Sequence, residues 1–223
     1  AFVQRIPSQR KIITNKYEVK DVFFLYITSG HTNIRGSKNH GRLIKNGAFW
    51  LGDKEISYIR SLIHGYKELS FDLFVNTLLV NGQSTGQQAF KINALKTNFA
   101  SHEAYITTIS SGQLRKLSVV PHRSYGNVDN TLASYQRLVK YNRLTQIKKF
   151  IDEGGYFANA IIVALKDDVE SEFTEATDSS DVLGGEIGVL SVSRERSIFN
   201  IIDGQHRVYG HSLSGRSIKE LLP

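Results

Sequence analysis

The pattern of apolar and polar positions predicts strands and helices in alternation. Residues 22–27 form a continuous apolar run rich in β-formers, and Ser29-Gly30 ends it. This pattern predicts a buried strand near the centre of a sheet. Residues 53–63 place their isoleucines on one face of a helix that Asp53 would cap, and the apolar stretch 69–80 favours another helix.

The second half of the chain continues in the same way. Residues 105–109 alternate as a short strand, 111–117 favour a helical turn, and a helical repeat from Thr131 ends at Gly154-Gly155. The apolar segment 159–165 then predicts a buried strand. Four further elements are predicted: an acidic loop over 166–185, strands over 187–192 and 198–202 joined as a hairpin through 194–196, and a helix over 206–214.

This order of elements predicts an α/β fold of the α+β kind in two parts. The segment Asn81 to Gln88 has the composition of a turn or linker. We therefore place a boundary there, between a basic α/β region over 1–88 and a second domain over 89–223.

Composition excludes several classes of chemistry. The chain contains no cysteine, which rules out disulfides, thiolate zinc sites and cysteine nucleophiles. No run approaches 18 apolar residues, and the first ten residues lack the apolar stretch of a secretion signal. We expect a cytoplasmic protein without a membrane partner.

The positive charge is concentrated in the first part of the chain. Residues 1–120 carry 16 Lys/Arg against 7 Asp/Glu, whereas residues 121–223 carry 12 against 14. A positive surface attracts polyanions, and DNA binding depends largely on neutralising phosphates. DNA is therefore the partner we expect, and the N-terminal part is its expected contact.

The strongest local motif is FNIIDGQHRVYGHSLSG, over residues 199–215. A strand that ends in Gly204 and opens a helix makes a cradle for an anion, to which Gln205 and Arg207 can add contacts. Asp203 could hold Arg207, bind Mg²⁺ or act as a base, and His206 could be a general acid, a general base or a phosphate donor. The alternative is an ordinary turn followed by a helix.

The motif IIDGQHRVYG resembles the signature of the DGQHR-domain family, which includes DndB-like regulators of DNA phosphorothioation, and more distantly the DGQQR motif of restriction-type proteins. Members carry a YQR motif and a further arginine before a helix, a buried strand and the DGQHR strand. Tyr135-Gln136-Arg137, Arg143, the helix 144–151 and the strand 159–165 follow that order. The same order is similar to ParB-like CTPases and to sulfiredoxin.

The resemblance implies a ParB/sulfiredoxin-like mixed sheet with helices over 89–223, preceded by a region similar to the remnant of a nuclease-like fold. It also implies a nucleotide or phosphate site. The implied site residues are Asp203, Gly204, Gln205, His206 and Arg207, faced by Tyr135, Gln136, Arg137 and Arg143.

Three functions are compatible with these residues. The first is a DNA-associated bacterial protein of the DNA-modification or phage-defence type that binds, and in one version hydrolyses, a nucleoside triphosphate with Mg²⁺. Asp203, His206 and Arg207 would be its catalytic residues, with the metal on Asp203. The second is a non-enzymatic DNA-binding regulator in which the motif is structural. The third is a restriction-type nuclease built on Glu18-Val19-Lys20.

Overall fold

The computed structural model describes residues 2–17, 19, 22–30, 33–76, 89–121, 138–167, 169–176, 184–193 and 198–222. The chain divides into two compact units, 1–62 and 63–223, which are described separately below. The predicted boundary segment Asn81 to Gln88 lies outside the described residues, so the division at residue 88 stays a prediction.

The described residues contain both helices and strands along their whole length. The helices are α1 (Phe2–Tyr17), α2 (Lys38–Lys45), α3 (Asp53–Tyr66), α4 (Ser70–Phe74), α5 (Ser111–Leu117), α6 (Tyr141–Asp152) and α7 (Gln205–Ser212), with a 3-10 turn at Lys67–Leu69. The strands are β1 (Phe24–Ile27), β2 (Ala48–Leu51), β3 (Phe90–Phe99), β4 (His102–Thr107), β5 (Ile109–Ser110), β6 (Ser118–Val119), β7 (Ile162–Leu165), β8 (Ser171–Glu175), β9 (Glu186–Val192), β10 (Phe199–Asp203) and β11 (Leu221–Leu222). Among the described residues, no helix combines the length and apolar character needed to cross a bilayer.

Unit 1–62 is built on two parallel strands. β1 pairs with β2 from Phe24–Ala48 to Ile27–Leu51, and α2 forms the crossover between them. A small core of Ile6, Leu43 and Ala48 packs against partly buried neighbours such as Trp50.

The predicted burial of β1 is wrong. Leu25, Tyr26 and Ile27 are all exposed, and β2 is the one strand that pairs with β1 among the described residues. An apolar run of this kind is typical of a strand covered on both faces. The small core of unit 1–62 leaves most of these side chains uncovered.

The described residues of unit 63–223 form three sheets. The first is antiparallel with the order β4-β3-β9-β8, the second is mixed with the order β6-β10-β7, and the third pairs β11 with β5. β10 is parallel to β6 and antiparallel to β7. The fold class predicted from the sequence, a mixed α+β fold, is confirmed, whereas the ParB/sulfiredoxin likeness stays a prediction.

The core of this unit lies around β10, α6 and α7, where apolar side chains from these elements and from the residue before β10 are fully or almost fully buried. They are Leu144, Ile151, Ile198, Phe199, Ile201, Val208 and Tyr209. These elements form because three of the five residues of β10 are β-formers and α6 repeats its apolar residues at three and four positions. The motif therefore starts from a firmly packed strand.

Three predictions in this unit are wrong. The segment predicted as a buried strand, 159–165, forms strand β7 only over Ile162–Leu165, and none of its residues is buried. β9 and β10 do not form a hairpin, because β9 pairs with β3 and β8 while β10 pairs with β6 and β7. The proposed turn at 194–196 lies outside the described residues. The acidic segment 166–185 contains β8, whose central Phe173 is partly buried between exposed polar residues. Such a strand has the polar composition of a loop because it lies at the edge of its sheet.

Candidate functional site

The DGQHR motif forms the predicted junction of strand, glycine and helix. β10 ends at Asp203, Gly204 caps the helix, and α7 begins at Gln205. Gly204 has φ +93° and ψ 13°, in the left-handed region that disfavours residues with a side chain. The first backbone N–H groups of α7 lack intrahelical acceptors, so this helix end is a natural position for an anion.

The space around Gly204 is also tight. A Cβ atom at this position would lie 2.5 Å from Ile161 Cδ1 and 3.1 Å from Arg207 Nη2. Both distances are shorter than ordinary contacts between packed atoms. The turn therefore brings its backbone close to the chain before β7 and to the guanidinium of the motif.

Arg207 fastens the motif to that chain segment. Its Nη1 donates to the carbonyl oxygens of Asn159 (2.5 Å) and Ala160 (3.1 Å), and its Nη2 donates to Asp203 Oδ2 (2.7 Å). The Arg207 side chain is 16% exposed, against 65% for Asp203. Asp203 and Arg207 thus form an ion pair, the contact that the first of the three predicted roles of Asp203 requires. Both terminal nitrogens of Arg207 are engaged in this state, so its immediate role is to position the turn.

A groove of roughly 920 Å³ opens beside the turn. Residues 202–207 form one wall, and α6 supplies the other with the helical spacing i, i+3, i+4, i+7. The four α6 residues are Arg143, Gln146, Ile147 and Phe150, and Phe157 joins them. The structure thus brings Arg143 to the motif, as predicted, whereas Tyr135, Gln136 and Arg137 lie outside the described residues.

The groove is electropositive next to the helix end. Burial lowers the pKa of His206 from its ordinary 6.5, and the positive charge of Arg143 lowers it further. Both effects favour the neutral imidazole, because burial and the neighbouring Arg143 oppose a second positive charge. A bound anion would oppose this effect and favour the protonated imidazole.

Buried contacts fix α7 against its neighbours. Gly210 approaches α6 so closely that a Cβ atom there would lie 2.5 Å from Ile147 Cγ2. The rings of Tyr66 and Tyr209 meet edge to face at 5.1 Å, and the Tyr66 hydroxyl donates to Gln205 Oε1 at 3.3 Å. Gln205 is thereby held from the core side, and the groove wall has a defined position.

The described residues contain no group of three histidine or carboxylate side chains placed to hold a metal ion. Asp203 stands as the single carboxylate among the groove residues of the described chain. Of the predicted nuclease residues, Glu18 and Lys20 lie outside the described residues, so that prediction stays untested.

Sequence reasoning missed the aromatic end of the groove. The three- and four-residue apolar repeat of α6 predicts that Phe150 is packed in the core, but Phe150 is 43% exposed and lines the groove with Phe157. The spacing of residues 143, 146, 147 and 150 already indicated that these four residues share one face of the helix. Without the tertiary structure, nothing indicated that this face meets a groove.

Comparison with known proteins covers this same region. A family model described as DndB, DNA-sulfur modification-associated, matches residues 92–213. The match runs from β3 to the residue after α7, includes all the described groove residues and spans more than half of the chain. No curated protein and no solved structure matches the sequence significantly.

Proposed function

Because the chain belongs to the DndB family of DNA-sulfur modification-associated proteins, we propose that it acts on or near DNA and that its groove binds a nucleoside triphosphate. We place this activity in a bacterial DNA-modification or phage-defence system. The observation that carries the proposal is the left-handed Gly204, which opens a helix N-terminus into a groove where Arg143 and His206 converge.

The phosphates would lie at the N-terminus of α7. Backbone N–H groups and the positive end of the helix dipole face an anion there. Arg143 would contribute a charged donor from α6, and His206 would contribute a second donor, positively charged once the anion raises its pKa. Arg207 would support the turn through Asp203, Asn159 and Ala160.

Hydrolysis would require Mg²⁺, and Asp203 is the residue proposed to hold it. Arg207 contacts one of the two carboxylate oxygens of Asp203, and the Asp203 side chain is largely exposed. Mg²⁺ keeps several waters and is commonly bound by one or two carboxylates together with substrate phosphates. A single aspartate beside bound phosphates therefore suits this metal, which would neutralise charge on the phosphates.

The test is nucleotide affinity with a matched control on the same helix. Arg143→Ala should weaken binding of a nucleoside triphosphate about tenfold or more, since a hydrogen bond to a charged group contributes about 1.5–3 kcal/mol. Lys149→Ala removes a highly exposed charge of α6 outside the groove and should leave the affinity within about twofold. Equal effects of the two variants, or no nucleotide binding by the wild type, would refute the nucleotide proposal.

Hydrolysis has a separate measurement. If it occurs, phosphate release should require Mg²⁺, and Asp203→Ala should abolish it while nucleotide binding without metal persists. Metal-independent release, or full activity of Asp203→Ala, would exclude the proposed role of Asp203.

One observation favours the second candidate, a non-enzymatic DNA-binding regulator. Both terminal nitrogens of Arg207 donate hydrogen bonds within the protein, as expected if the motif serves only to hold the turn in place. That function predicts DNA affinity that depends steeply on salt and does not change when nucleotide is added. Salt-titrated DNA binding with and without a nucleoside triphosphate separates the two candidates.

The proposed DNA contact is unit 1–62. This unit carries 11 Lys/Arg against 4 Asp/Glu, whereas residues 63–223 carry 17 of each, so the net charge of +7 resides in the first unit. Lys38, Arg42 and Lys45 lie on one face of α2 and are exposed, while Leu43 is buried. A helix face of this kind can follow a phosphate backbone.

Replacing these three α2 residues by alanine should weaken DNA binding and reduce the slope of log affinity against log salt by about 2–3. Alanine at Lys91, Lys116 and Lys219, three exposed lysines of the other unit, is the matched control. Equal slopes for the two triple variants would refute the assignment of DNA contact to α2.

A further inference from the structure

The groove has a second end whose chemistry differs from the first. Phe150 and Phe157 line it, with their ring centroids 5.2 Å apart and their planes inclined at 49°. Phe150 is 43% exposed although it belongs to a well-packed helix. Exposed phenylalanine beside a cationic site suits a ligand that carries a flat apolar ring as well as negative charge.

The ring of Phe150 is held in place from one side. A Cβ atom on Gly155 would lie 2.5, 2.5 and 2.6 Å from Cε2, Cζ and Cε1 of that ring. A point nearly equidistant from three ring atoms lies over the face of the ring, not beside its edge. The backbone of Gly155 therefore supports one face of Phe150, and Gly155 N donates to Phe150 O at 2.9 Å.

The distance between the two ends also fits a nucleotide. Arg143 and Phe150 are seven residues apart on α6, which corresponds to about 10 Å along the helix axis. Arg143 acts on His206 at the phosphate end, and Phe150 marks the aromatic end. An extended nucleotide separates its terminal phosphates from its base by a comparable length.

We infer that Phe150, supported by Gly155 and Phe157, is a stacking platform for the base of the nucleotide whose phosphates lie at Gly204. The inference rests on the proposed nucleotide function and adds to it the position and mode of base recognition. Stacking accepts any base, because each base has an aromatic face. Discrimination between bases would then have to come from polar groups such as Gln146, which lines the groove between the two ends.

Two probes separate the base from the phosphates: a non-hydrolysable ATP analogue and inorganic triphosphate, titrated into the full chain by calorimetry. The wild type should bind the analogue about tenfold or more tightly than triphosphate, the gain expected from stacking one base. Phe150→Ala should remove about tenfold of the analogue affinity and leave triphosphate affinity within about twofold. Phe150→Tyr, which keeps an aromatic face, should retain the wild-type preference.

Two further variants sharpen the test. Gly155→Ala should displace the Phe150 ring and reduce analogue affinity without changing triphosphate affinity. Phe71→Ala removes a more exposed phenylalanine, on α4 and outside the groove, and should change neither affinity. Thermal melting identifies any variant that does not fold. In that case the inference is tested by the preference of the wild type and of Phe150→Tyr for the ATP analogue over triphosphate.

Failure of the inference and failure of the proposed function have different results. If the wild type binds both probes equally, or if Phe150→Ala weakens both equally or neither, the platform is refuted and the phosphate site stands. If the wild type binds neither probe, the nucleotide function itself is refuted.

Discussion

Replacement of Gly204 by alanine tests whether the motif is built on a left-handed, tightly enclosed glycine. Two separate penalties are expected. The backbone at φ +93° disfavours any residue with a Cβ atom, and the new methyl group would lie 2.5 Å from Ile161 Cδ1. Gly154 provides the matched control, because it has φ +94° in the same unit and a Cβ atom there would meet nothing within 4 Å.

The magnitude can be worked out from these two positions. Left-handed backbone costs a non-glycine residue about 1–2 kcal/mol. Alanine offsets about 0.4–1 kcal/mol of this by restricting the unfolded chain. Gly154→Ala should therefore lower the free energy of unfolding by about 1 kcal/mol. Gly204→Ala adds crowding against the terminal methyl group of Ile161, which rotation of that side chain partly relieves, so the crowding should add about 1 kcal/mol and the total loss should be roughly 2 kcal/mol.

Urea unfolding followed by far-UV circular dichroism measures both variants. Circular dichroism is preferred to tryptophan fluorescence because the single tryptophan, Trp50, belongs to unit 1–62, whereas both glycines belong to the other unit. The difference between the two variants isolates the crowding at the groove. If Gly204→Ala is no less stable than Gly154→Ala, the close approach of Gly204 to Ile161 does not hold and the reasoning fails.

Three further predictions concern the same unit. Gly210→Ala should lower the free energy of unfolding by about 1–3 kcal/mol, although alanine favours helices, because the new methyl group would meet the branched side chain of Ile147. Gly112→Ala, where a Cβ atom would make only ordinary contacts, should not lower it, and chemical denaturation of the two variants checks both expectations. Arg207→Lys should cost about 1–3 kcal/mol, since an ammonium group cannot reproduce the planar set of hydrogen bonds, and an unchanged melting temperature would contradict this. The pKa of His206 is lower in the folded protein than in the unfolded chain, so as the pH falls the imidazole is protonated first in the unfolded chain. The free energy of unfolding should therefore decrease as the pH drops below about 6.5. His206→Asn should lose less unfolding free energy than the wild type between pH 7.5 and 5, and equal losses in the two proteins would refute the lowered pKa of His206.

Much of the candidate site follows from local signals in the sequence. The consecutive β-formers before Asp203, the glycine after it and the polar first turn of α7 predict strand, turn and helix without knowledge of the fold. The apolar repeat of α6 and the capped start of α5 are equally local, and Ser110 Oγ accepts from Gln113 N as an N-cap should. These features depend on residues within about one helical turn of each other.

Other parts of the fold could not be predicted in this way. The sequence favours a hairpin between β9 and β10 because they are neighbours in the chain, yet β9 forms seven register pairs with β3, which lies far earlier. The sequence pattern did not predict β3 itself, although its first half, FKINA, alternates between apolar and polar residues. Pairing of strands depends on which faces become buried together, and that is a property of the whole unit.

The sequence by itself determined that Asp203 and Arg207 lie one helical turn apart and can pair, because both belong to one continuous segment. Only the tertiary structure decided that Arg207 also binds the carbonyl oxygens of Asn159 and Ala160, at separations of 48 and 47 residues. It likewise decided that Arg143 approaches His206 and that Phe150 remains exposed over Gly155. The physical reason is that backbone conformation responds to near neighbours in the chain, whereas charge, burial and stacking depend on segments that packing alone brings together.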